Sequence, residues 1–139
     1  MSLFKRLALL LALLASLLAG PARAGDTDPL FINLTTDDAH RAAAALTFGQ
    51  HQQRNGHPLT VFLNDRGALL ASRAHAARYA GLQQTLAELV QQGATVLVVP
   101  LSMKHYGVAA DDLLPGLQVS NSQRSGPALF RDNTRTLSW

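Results

Sequence analysis

The chain has 139 residues, with 12 Lys+Arg against 9 Asp+Glu, and contains no cysteine. Without a thiol it offers no cysteine nucleophile, no thiolate metal site, no persulfide carrier and no disulfide. Lys5, Arg6 and Arg23 fall within residues 1–24 and all nine acids fall after them, so residues 25–139 hold nine of each sign and no formal net charge; a nucleic-acid partner, which calls for a basic excess, is not supported, and neither is a polyanionic membrane surface.

Residues 1–24 read as a cleavable secretory signal peptide. Lys5 and Arg6 give a positive start, Leu7–Leu18 is apolar apart from Ser16, and Ala22-Arg23-Ala24 puts small residues at the two positions a signal peptidase reads. The apolar run stops at Gly20-Pro21, short of the roughly 20 residues a spanning helix needs. The expectation is cleavage near Ala24–Gly25, a periplasmic protein with no membrane span after cleavage, and one domain over residues 25–139, enough for a single core.

Residues 25–29 read as a short flexible lead. Leu30–Leu34 is a nearly continuous apolar strand. Thr35-Thr36-Asp37-Asp38 reads as a helix start with acids in the first turn, and Asp37–Arg54 as a helix whose face carries Ala39, Ala42, Ala43, Leu46 and Gly49. Asn55-Gly56 and Pro58 end it. Leu59–Leu63 is the second strand, Asn64–Gly67 a turn, and Ala68–Ala80 a loop with helical turns. Gly81–Gln92 reads as a helix with Leu82, Leu86, Leu89 and Val90 on one face, capped by Gly93. Ala94–Val99 is the third strand, apolar on both sides as in a covered parallel sheet. Pro100–Gly107 reads as a loop, Ala109–Leu114 as a short helix, Leu117–Ser120 as a fourth strand and Asn121–Gly126 as a mobile polar stretch. Ala128–Phe130 and Thr136–Trp139 could each add a strand. Alternating strands and helices imply an α/β fold, a small doubly wound parallel sheet of about five strands with helices on both faces.

In such folds ligands sit beyond the carboxyl ends of the strands. Thr35–Asp38, Asn64–Gly67 and Pro100–Gly107 occupy those ends, which makes Thr36, Asp37, Asn64, Asp65, Ser102, Lys104, His105 and Tyr106 the candidate ligand-binding residues. No glycine-rich phosphate loop follows the first strand, so no nucleotide cofactor is expected. His40, His51, His57, His75 and His105 show no metal-ligand spacing: His40 and His51 share a helix but stand roughly 16 Å apart along its axis. No metal is expected. Ser102 lies three residues before His105 but outside any Gly-x-Ser-x-Gly elbow. Thr35 and Thr36 read first as helix caps. The pairs Asp37-Asp38 and Asp111-Asp112 read first as acids at helix starts.

An ordered series of short pieces resembles the DsrE/DsrF-like family of small sulfur-relay proteins. These are Phe31–Asp38, Gly56–Asn64, Leu86–Gly93 running into Val96–Pro100, Tyr106-Gly107, Asp112–Gly116 and Thr136–Ser138, over about Leu30–Trp139. The resemblance implies a DsrE-like α/β domain that assembles into trimers or hexamers. Several members of the family pass sulfur as a cysteine persulfide, with a cysteine in the loop after the third strand; Ser102 stands where that cysteine would be. An alcohol has no thiolate to hold sulfane sulfur, so the chemistry does not carry over with the fold. Export is a second departure, because the sulfur-relay members act in the cytoplasm. The first reading is therefore an exported, non-catalytic family member that binds a small ligand or a partner protein, with a link to sulfur metabolism implied by resemblance alone. The alternatives are an enzyme working through Pro100–Gly107, with Ser102, Lys104, His105 and Tyr106, and a purely structural interaction module.

Overall fold

A computed structural model describes Gly25 and residues 27–139; the signal-peptide reading of residues 1–24 lies outside the described residues. The domain is an α/β sheet of five parallel strands, β1 (Leu30–Leu34), β2 (Leu59–Leu63), β3 (Thr95–Val98), β4 (Gln118–Val119) and β5 (Arg135–Ser138), in the order β4-β3-β2-β1-β5. The helices are α1 (Ala39–Arg54), α2 (Ala76–Gln91), α3 (Pro100–Tyr106) and α4 (Ser122–Leu129), with 3-10 turns at Asp65–Ala71, Arg73–His75 and Ala110–Asp112. From β1 to β4 the chain steps steadily to one side. It then returns to pair β5 with β1, Leu30 opposite Arg135 and Asn33 opposite Ser138.

Strand alternation sorts the side chains into two layers. Leu30, Ile32 and Leu34 of β1, Leu59, Val61 and Leu63 of β2, and Val96 and Val98 of β3 form the core with Leu46 of α1 and Leu86 and Leu89 of α2. Each of these side chains, fully buried, contributes about 1.5–3 kcal/mol. Helix α1 lies close to the sheet because three of the four residues it buries, Ala42, Ala45 and Gly49, are small. A Cβ on Gly49 would stand 2.9 Å from Ile32 Cδ1 and 3.2 Å from Leu59 Cδ2. The other sheet face carries Phe31, Asn33 and Phe62, and right-handed return from β4 to β5 puts α4 over it.

Several local expectations are corrected. Residues 28 and 29 are buried, not a free lead: the Asp28 carbonyl lies 2.7 Å from His57 Nδ1, and its carboxylate pairs with Arg135 at 3.3 Å. Helix α1 starts at Ala39, capped by the Asp38 side chain, which accepts from the Arg41 N–H. Ala39 and Ala43 face solvent and Ala45 takes the buried place. The alanine-rich stretch does hold helical turns, the two 3-10 turns, but α2 begins at Ala76 rather than Gly81, with a kink at Tyr79. Pro100–Tyr106 is a helix rather than a loop, the short helix expected over Ala109–Leu114 is a single 3-10 turn at Ala110–Asp112, and helix α4 (Ser122–Leu129) stands where a mobile stretch over Asn121–Gly126 and a strand over Ala128–Phe130 were expected. Among the described residues no helix is long and apolar enough to cross a membrane.

Candidate functional site

The carboxyl ends of β1, β2 and β3 meet around the segment Asn64–Gly67. The 3-10 turn after β2 lies against the end of β1: Gly67 is buried, and a Cβ there would stand 2.1 Å from the Leu34 carbonyl oxygen. Only glycine allows that approach. Asp65, the first residue of the turn, has φ 45°, a left-handed conformation that Asp tolerates better than most residues. Its N–H is held from two sides, by Asn64 Oδ1 at 2.9 Å and Ser102 Oγ at 2.8 Å.

Ser102 is fixed by α3. Pro100 stands at the first helical position, where its missing N–H costs nothing. One turn on, the helix buries Ser102 and Met103 and leaves Leu101, Lys104 and His105 in solvent. The Ser102 hydroxyl donates to Asn64 Oδ1 at 3.0 Å and accepts from the Asp65 N–H. The Tyr106 hydroxyl donates to Asp65 Oδ1 at 2.5 Å, and that bond raises the Tyr106 pKa. The His105 ring stands edge-on to Tyr106, centroids 4.6 Å apart. Asn64, Asp65, Ser102, His105 and Tyr106, with Leu101, line an open hollow of about 430 Å3.

A second cluster lies on the β1 side of the same segment. Asp37 is buried and accepts from Arg66 Nε at 2.6 Å and Arg66 Nη2 at 2.9 Å, a two-pronged pair. The Tyr79 hydroxyl donates to Asp37 Oδ2 at 2.5 Å, and Arg78 lies 3.4 Å from the same oxygen. The Arg66 hydrogen bond, against the opposing effect of burial, holds the Asp37 carboxyl at about 2. Burial, and then the bond to Asp37, raises the Tyr79 pKa. Arg66 also reaches toward the Tyr106 ring, 6.0 Å from its centroid, and so links the clusters.

Of the eight candidate ligand-binding residues, Asn64, Asp65, Ser102, His105 and Tyr106 share one hollow. Lys104 borders a neighbouring one with Leu101 and His105. The Thr36 hydroxyl accepts from the Asp38 N–H, a local turn that holds the capping residue Asp38 rather than a cap of the helix itself. Asp37 is an ion-pair anchor rather than a helix cap. Asp112 accepts from the Ser72 hydroxyl and the Ala74 N–H, tying the 3-10 turns together; the Ser72 bond lowers its pKa. Arg66 and Tyr79 were missed as site residues, since a turn arginine and an alanine-flanked tyrosine carry no local mark of their shared partner. Among the described residues no three His, Asp or Glu side chains gather as a metal site.

A model of the DsrE/DsrF-like family matches residues 30–126. No curated protein matches the chain in sequence. Several solved structures share the fold, among them the following three. A protein of unknown function from Methanobacterium thermoautotrophicum superposes with a TM-score of 0.66 at 19% identity, over 81% of this chain and 99% of that one. A conserved protein of unknown function from Bacteroides thetaiotaomicron gives 0.59 at 18% identity, over 81% and 95%. The ychN protein of Escherichia coli gives 0.58 at 11% identity, over 81% and 99%.

Proposed function

Because the chain belongs to the DsrE/DsrF-like family, we propose that it is an exported, non-catalytic member that binds a small polar ligand in the hollow between β2 and α3. The observation that carries this reading is the bonding of Ser102. Its proton goes to the Asn64 amide oxygen, which is not a base, and not to His105. A nucleophilic serine needs a base within hydrogen-bond reach, so the arrangement favours binding over catalysis by this serine. The left-handed Asp65, held by Asn64 and Ser102, supports the same reading, since strained backbone is maintained where a site needs it. A link to sulfur metabolism rests on the family alone, and with no cysteine the chain has no group to carry sulfane sulfur. Homo-oligomeric assembly, as a trimer or hexamer, is part of the proposal. It is supported by Leu101 at 77% and Phe130 at 82% exposure, two large apolar side chains left to solvent.

A thermal-shift panel of sulfite, thiosulfate, small thiols, divalent metals and nucleotides tests the ligand reading. A ligand at 100 times its Kd adds about 2.7 kcal/mol to the folded state, a rise of several degrees in Tm. His105→Ala should abolish that rise. No rise with any compound would favour an interaction module instead.

A further inference from the structure

A second hollow, separate from the Ser102 groove, lies between α4 and the sheet. Strand order reverses between β1 and β5, and in open α/β sheets the crevice at such a reversal, near the carboxyl ends of the strands, is where ligands bind. Helix α4 buries no side chain of its own. It leaves a space of about 450 Å3 beneath it, floored by Phe31 and Phe62 and bordered by Asn33, Ser125, Gly126 and Phe130. That volume lies in the range of small-molecule sites. The two rings of the floor tilt together at 5.5 Å between centroids. No charged side chain lines the space, so an ionic ligand would lose its hydration without a counter-charge.

A polar group that the wall offers is the Asn33 amide nitrogen. Asn33 Oδ1 is shut off from solvent, so nothing in the hollow reaches it, while the amide nitrogen makes only a long contact of 3.4 Å to Ser138 Oγ. Its N–H groups lack a good acceptor, and the oxygen of a ligand hydroxyl would supply one. We propose that this hollow binds a neutral, hydroxyl-bearing cyclic compound, its ring on Phe31 and Phe62 and its hydroxyl on Asn33. The proposal does not rest on the Ser102 groove, although Asn64 borders both hollows.

Gly126 gives the test. Gly126 borders the hollow and a Cβ added there meets nothing within 4 Å, so a leucine is accommodated at its rim without a clash at Cβ. The probe is 2-naphthol, titrated by fluorescence into the full-length chain at pH 7, with 2-naphthoate and naphthalene as charged and hydroxyl-free counterparts. Saturable one-to-one binding of 2-naphthol is expected, at least tenfold tighter than either counterpart. Gly126→Leu should weaken it at least tenfold with no fall in Tm, and Gly126→Ala should keep both the fold and the binding. Asn33→Leu should erase the preference for 2-naphthol over naphthalene. The proposal is overturned if 2-naphthol shows no saturable binding up to millimolar concentration, if Gly126→Leu binds as well as the parent, or if 2-naphthoate binds equally. It is equally overturned if no naphthol binds and light scattering shows that Gly126→Leu breaks up an oligomer, because the hollow then seats a second copy.

Discussion

Asp37 owes its place to partners far along the chain, Arg66 and, 42 residues away, Tyr79. From its neighbours in sequence it reads as one of two acids at a helix start, and Asp38 alone fills that role. Because its folded pKa of about 2 lies below that of a free aspartate, its ion pair stabilises the fold above pH about 4 and is lost as the pH falls from there through about 2. Asp37→Asn should lower the unfolding free energy at pH 7 by about 1–3 kcal/mol. Urea titrations should show the gap between variant and parent narrowing as the pH approaches 2; parallel stability curves would count against the ion pair. The hollow's residues were easier to find, because Asn64, Asp65, Ser102 and Tyr106 all lie in segments that a parallel sheet must bring to its carboxyl edge. Their hydrogen bonds were not legible, since they depend on which face of α3 turns inward.

At the scale of elements, β1 and β2 were legible to the residue, because a short apolar run bounded by turn residues has few other uses in a chain of this size. Helices α3 and α4 were not. Helix α3 is seven residues long and buries only Ser102 and Met103, too little periodicity to stand out, although Pro100 and Gly107 mark its two ends. Helix α4 contains Gly126 and Pro127, both poor helix formers, and its one clear signal is Asn121, whose side chain accepts from the Arg124 N–H. The join between β1 and the turn after β2 makes a sharper claim. Gly67→Ala would force a methyl group into the Leu34 carbonyl, and a loss of at least about 3 kcal/mol is expected, read as a large drop in Tm or a failure to recover folded protein. A melting curve like the parent's would show that this junction gives way more easily than its geometry implies.

For the whole molecule, the sheet order and the family match agree with the fold expected from alternating strands and helices. Assembly and export depend on surfaces and segments outside the core. Native mass spectrometry of protein recovered from a periplasmic extract addresses both proposals together: the expected species is a trimer or hexamer of chains beginning at Gly25. Leu101→Glu should shift it toward the monomer by placing a charge where an apolar contact is proposed. A parent monomer, or a chain that retains residues 1–24, would remove the corresponding proposal. The pairing of β5 with β1 has a further consequence, in the order of events during synthesis. Strand β1 is one of the first parts of the domain to be made, yet its second neighbour in the sheet is made 105 residues later, as the Asn33–Ser138 separation shows. Closing so long a loop slows folding, so the sheet stays open on that side until almost the entire chain has emerged. A chain that closes late leaves the β1 edge of its sheet unpaired for longer, and an unpaired edge is where a stray strand can add.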